Sequence, residues 1–197
     1  MPKIVDHDHR RAELAAAVWR VIARDGVEAA SVRQVAEEAG LSPGSLRHFF
    51  TTHAQLMRFA MELVGQRLEE RLVETRVRPG LTPVERVTLM VEQMLPLDDE
   101  RRLECRVWLG FVTRSLVDPD LLSVQQDLDR RLASAFDVMI SVLVDAGALR
   151  QDLDPMSEAE RLYALVDGLI IHGLVRGSED PRRGVVGVHL RDITEEV

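Results

Sequence analysis

Between Ser42 and His48 the chain reads SPGSLRH, which sets Ser45, Arg47 and His48 on the open face of a short helix. A hydroxyl, a guanidinium and an imidazole are side chains that hydrogen-bond base edges in a DNA groove and phosphate oxygens beside it. Ser42 suits the N-cap of that helix, and Pro43 suits its first position, where a missing N–H costs nothing. Nine residues before Ser42, Arg33 lies on the polar side of the preceding helix, within reach of a phosphate. Residues of these types at this spacing predict a nucleic-acid reader.

The elements that must position them follow from periodicity. Val32, Val35 and Ala36 form one face of a short helix, with Arg33, Gln34, Glu37 and Glu38 on the other. Gly40 tolerates the positive φ of a helix end, and Leu46, Phe49 and Phe50 give the second helix its apolar side. Two short helices across a glycine turn are a helix-turn-helix. A helix predicted from Arg10 to Asp25, with Leu14, Val18, Val21 and Ile22 in one stripe and Gly26 as C-cap, buries that stripe against the pair. Residues 1–9 read as a polar arm. The body reads as further helices: 53–76 after a Thr51 or Thr52 cap, 82–95, 100–117, 120–146, 157–175 capped by Ser157, and a short last one opened by Pro181. No strand signal is present. The predicted fold is all-α, a three-helix head over 1–52 and a helical body over 53–197.

Composition narrows the function. The net charge of −8 over 197 residues looks wrong for a DNA partner until it is divided. Residues 1–58 carry eight Lys+Arg against seven Asp+Glu, so the acidity lies in the body and a local basic face stays available to the head. One cysteine, Cys105, allows no internal disulfide and no Cys-based zinc site, which fits a reducing cytoplasm. No apolar run reaches membrane-spanning length. His7 and His9 flank Asp8 with no further ligand nearby, so no metal is expected, and no cofactor motif occurs. The sequence contains no Glu-x-x-His pair, glycine-rich phosphate loop or zinc-protease motif, and Cys105 sits on the most apolar helix, where a thiol is usually inert packing. A helical enzyme and an all-helical interaction module are the alternatives to a DNA-binding regulator.

From Arg10 to about Leu63 the helix order and the motif resemble the TetR family of transcriptional regulators. Gly44, Ser45, Leu46, Arg47, His48, Phe49 and Phe50, followed by His53, stand where that family runs Gly, small, Tyr, aromatic, Tyr or His, Phe and then a Lys opening the next helix. The N-terminal wording is similar to the BetI-like branch, some of whose members sense choline-type compounds. The resemblance implies a ligand-responsive regulator, most simply a repressor, that binds a palindromic operator as a homodimer and is released by a small molecule. Two departures matter: Arg47 replaces a Tyr, so it can contact phosphate or guanine, and His53 replaces a phosphate-gripping Lys.

The body must then pair with a copy of itself and sense a ligand. The resemblance implies a four-helix dimer bundle built from the helix at 157–175 and the last one, and Leu162, Leu165, Val166, Leu169, Ile170 and Gly173 are the expected seam. Met90, Met94, Cys105, Trp108, Phe111, Phe136 and Met139 are candidate pocket lining, with Glu104 and Asp137 as possible counter-charges for a cation. Tyr163 and His172 read as local hydrogen-bonding residues.

Overall fold

The structure, a computed structural model, describes residues 4–27, 30–46, 49–177 and 184–195. Its elements are α1 (Ile4–Asp25), α2 (Val32–Glu38), α3 (Pro43–Leu46), α4 (His53–Val77), α5 (Pro83–Glu92), α6 (Asp99–Ser115), α7 (Pro119–Asp145), α8 (Pro155–Arg176) and α9 (Val185–Asp192). The only extended pairing among the described residues is an antiparallel bridge between Leu149 and Thr194, which fastens the α7–α8 link to the stretch after α9. The all-α expectation is met.

Two compact units emerge, one from residues 1–66 with 106–123 and the other from 67–105 with 124–197. Helices α4, α6 and α7 therefore each contribute to both. In the first unit α1 buries Leu14, Ala17, Val18, Val21 and Ile22, α2 buries Val35 and Ala36, and Leu46 is fully enclosed. Phe50 and Phe59 meet at 5.1 Å, tying the end of the motif to α4. Each buried Leu, Val, Ile or Phe among these contributes about 1.5–3 kcal/mol of transfer free energy.

The second unit gathers Val87, Met90 and Val91 of α5, Phe136, Met139, Ile140 and Leu143 of α7, Leu162, Val166 and Ile170 of α8, and Leu190 of α9. A buried ion pair crosses it: Arg71 of α4 donates to both carboxylate oxygens of Glu104 on α6, at 3.0 and 2.5 Å, and also to the Gln93 carbonyl. Glu104 is only 4% exposed, so the bidentate pairing is what makes its burial tolerable.

Several boundaries differ from the sequence expectation, among them the end of α5 at Glu92 rather than 95 and the start of α9 at Val185 rather than Pro181. Helix α1 begins at Ile4, so residues 4–9 belong to it rather than to a polar arm. Helix α8 is capped by Asp154, not Ser157. Pro155 occupies the first turn, where it needs no donor, and the Asp154 carboxylate accepts the Ser157 N–H at 3.0 Å. Pro181 lies outside the described residues.

Candidate nucleic-acid interface

The reading motif is assembled from caps. Ser31 caps α2 in a reciprocal box: its hydroxyl accepts the Gln34 N–H, and the Gln34 side chain accepts the Ser31 N–H at 3.0 Å. Gly40 takes φ +65°, and the Leu41 N–H returns to the Ala36 carbonyl at 2.9 Å, closing the helix end and turning the chain. Ser42 then caps α3 by accepting the Ser45 N–H at 3.1 Å, while the two hydroxyls lie 2.8 Å apart. Ala36 on α2 and Leu46 on α3 are both fully buried.

Ser42, Gly44 and Ser45 are exposed, on the side of α3 away from Leu46. Pro43 opens α3 as expected. Arg47 and His48 lie outside the described residues. Arg33 is exposed, and its guanidinium pairs with Glu37 one turn on at 3.1 Å. A surface pair of this kind is worth a fraction of a kcal/mol, so a phosphate could displace it. At the start of α4, the Thr52 hydroxyl accepts the Gln55 N–H at 3.2 Å and the Thr51 N–H donates to the Gln55 side chain. His53 is half-buried with its Nε2 turned inward, where it meets no hydrogen-bonding partner among the described residues.

Sequence reasoning missed the brace behind the motif. Arg20 and Arg24, one turn apart on α1, both donate to the Glu38 carboxylate at the end of α2, at 2.6 and 2.9 Å. These two guanidiniums hold the Glu38 carboxyl below its ordinary range. Arg24 also grips Asp25, and that bond, with the one to Glu38, raises its own pKa. The Arg-x-x-x-Arg spacing on the polar side of α1 was the available signal.

The candidate pocket residues divide between the units. Trp108 and Phe111 belong to the first, where Phe111 is fully buried and Trp108 half-buried; Met90, Met94, Glu104, Cys105, Phe136 and Met139 belong to the second. Glu104 is committed to Arg71, so it offers no counter-charge to a ligand, and Asp137 is exposed. Burial pushes the Cys105 thiol up to about 12, and it donates to the Met94 carbonyl, as inert packing should. Two open clefts occur in the second unit. One of about 810 Å³, between α5 and α9, has Thr82, Glu85 and Arg191 on its walls and contains none of the predicted residues. The other, of about 730 Å³, includes Met90 alone. A further cluster was not foreseen: Tyr163 stacks on Phe136 at 4.9 Å and donates to Asp129 at 3.0 Å. Asp167, one turn along α8, has its carboxyl pushed up to about 6, first by burial and then by the Asp129 charge.

Along α8 the structure separates the expected seam. Leu162, Val166 and Ile170 are buried within their own protomer, Leu165 and Leu169 are half-buried, and Gly173 packs against Pro96, whose Cγ lies 2.7 Å from where a Cβ would stand. The opposite side of the helix exposes Ala164, Ile171 and Val175, and nothing lies within 4 Å of a Cβ placed on Gly168.

Residues 14–58 match the family described as bacterial regulatory proteins, tetR family, and residues 83–195 match the BetI-type transcriptional repressor C-terminal family. The HTH-type transcriptional regulator PksA of Bacillus subtilis (strain 168) is 39% identical over 199 residues, covering 100% of this chain and 95% of its own. The HTH-type transcriptional regulator BetI of Stenotrophomonas maltophilia (strain R551-3) is 28% identical, covering 91% and 88%. Among solved structures, a transcriptional regulator from Saccharomonospora viridis in complex with choline superposes with a TM-score of 0.78 at 26% identity, over 96% of this chain and 100% of that one. A transcriptional regulator from Rhodococcus sp. Rha1 gives the same TM-score at 28% identity, over 95% and 98%.

Proposed function

Because the chain belongs to the TetR family of bacterial transcriptional regulators and carries a BetI-type repressor body, we propose that it represses transcription by binding a palindromic operator as a homodimer and lets go on binding a small molecule. The observation that carries the DNA reading is the doubly capped α2–α3 motif, which leaves Ser42, Gly44 and Ser45 exposed on α3. Arg33, Arg47 and His48 complete the proposed contact set, with His53 limited to its outward side. The head (1–52) serves DNA and the body (53–197) serves dimerisation and sensing. No described helix is long and apolar enough to cross a membrane, and the proposed site of action is the cytoplasm. The dimer seam proposed here uses the exposed side of α8, Ala164, Gly168, Ile171 and Val175, flanked by Leu165 and Leu169. Selection of binding sites from a random duplex pool tests the reading. It should enrich a two-fold symmetric sequence, and a pool that stays random after repeated rounds contradicts it.

A cation is the ligand charge that the body supports best. Asp129 and Asp167 lie close enough to interact, and Asp167 has no ion pair among the described residues. The aromatic stack of Phe136 and Tyr163 stands beside them. The Saccharomonospora viridis relative was solved with choline, so choline is the first probe. Calorimetric titration should show choline binding that Asp167→Asn weakens, and no heat at millimolar choline would remove this ligand class.

A further inference from the structure

Helix α6 contains one glycine, Gly110, at a place where the backbone does not ask for it. A glycine inside a helix is unfavourable relative to alanine, so its presence there needs a packing reason. The reason is steric. A Cβ placed on Gly110 would lie 2.3 Å from Val27 Cγ1 and 3.5 Å from Val27 Cβ. Gly65 and Gly168, also inside helices, have nothing within 4 Å of the same position. Val27 and Gly110 belong to the same compact unit.

Val27 lies in the link between α1 and α2, and hydrogen bonds fix both ends of that link. At its start Gly26 takes φ +85° and its N–H returns to the Ile22 carbonyl at 2.9 Å. At its end the Ala30 N–H donates to the Gly26 carbonyl at 3.2 Å, Ala30 is buried, and Ser31 is the N-cap of α2. A shift at Val27 is therefore coupled to Ser31 through the Gly26–Ala30 hydrogen bond, and from that cap to α2 and α3. We infer that Gly110 is a positioning residue for operator binding: its missing side chain lets Val27 seat on the α6 backbone, and that seat sets where the α2–α3 motif stands. The inference rests on the operator-binding reading above.

The test compares Gly110→Ala, Val27→Ala, the double variant and Val27→Leu, using a duplex selected by the wild-type protein. Operator affinity, far-UV ellipticity and melting midpoint are read for each. Gly110→Ala should weaken operator binding about tenfold in protein that is still folded, the scale expected when a methyl is forced into a filled contact. Adding Val27→Ala should restore affinity to within about twofold of the Val27→Ala single variant. If Gly110→Ala does not fold, Val27→Leu presses on the same seat from the link and should lose affinity with ellipticity unchanged. A lower melting midpoint with unchanged affinity would show that Gly110 serves packing alone and overturn the inference, as would a double variant that stays weak. Failure of the wild-type protein to select any sequence refutes operator binding itself, and it is seen before a variant is made.

Discussion

Single residues carry most of what can be measured at the site. Ser42 was legible in the sequence as a cap because a serine before a proline at a helix start has few other roles, and the structure gives it the Ser45 N–H. Ser42→Ala should cost about 1 kcal/mol of stability, the usual loss for a deleted N-cap, read as a lower midpoint in urea. Asp167 was not legible, because its character comes from burial and from Asp129 on another helix rather than from its own neighbours in sequence. Its folded pKa of about 6 lies above the ordinary value, so the folded chain holds that proton more tightly than the unfolded one. Stability therefore falls as pH rises from about 4 to about 6 and levels off above that. Asp167→Asn should remove this slope and gain about 1 kcal/mol at pH 7.5, after allowing for solvent screening. Equal melting profiles for the two proteins between pH 4 and pH 8 would show that the carboxyl is not strained.

At the scale of elements, apolar periodicity was enough to place α4 to α8 but not to say which side of each faces inward. In α8 nearly every turn is apolar on both sides, so Leu162, Val166 and Ile170 looked as fit for a partner as for the protomer's own core. Burial separates them: those three are enclosed, while Ile171 and Val175 are exposed. Ile171→Arg should therefore yield a folded monomer by light scattering, since a charge on a symmetric seam meets its own mate. Leu162→Ala should instead destabilise the fold by about 2–5 kcal/mol. An Ile171→Arg protein that remains dimeric would move the seam elsewhere. The α4–α6 ion pair makes a second case. Arg71→Ala should cost about 3–5 kcal/mol by stranding Glu104, whereas Arg71→Met with Glu104→Leu should cost much less. The sequence could not show this pair, because the two residues are 33 positions apart and nothing in either local pattern marks the other.

For the whole molecule, the charge distribution is as informative as the fold. A chain of net charge −8 must reach DNA through a head whose own balance is close to neutral, and the structure shows that Arg20 and Arg24 are already bound to Glu38. Over residues 1–58 the eight Lys+Arg are nearly matched by seven Asp+Glu, so the net attraction of the head to phosphate is small. The logarithm of operator affinity should accordingly fall with the logarithm of salt at a shallow slope, close to the small number of phosphates the head neutralises. A slope steeper than about −6 would point to a basic surface other than this head. The order of helix-turn-helix, long helix and all-helical body suggested a division at residue 52, whereas the compact units are 1–66 with 106–123 and 67–105 with 124–197. That residues 106–123 join the first unit was not readable, since contacts between segments so far apart in sequence leave no local pattern.

The central claim is that two copies of this chain read one symmetric DNA site through α2 and α3. Hydroxyl-radical footprinting on the selected duplex measures this most directly. The account predicts two protected patches related by the dyad of the site, on the same face of the helix, with both patches lost together in the Ile171→Arg protein. A single patch, or even protection along the duplex that ignores the dyad, would contradict it.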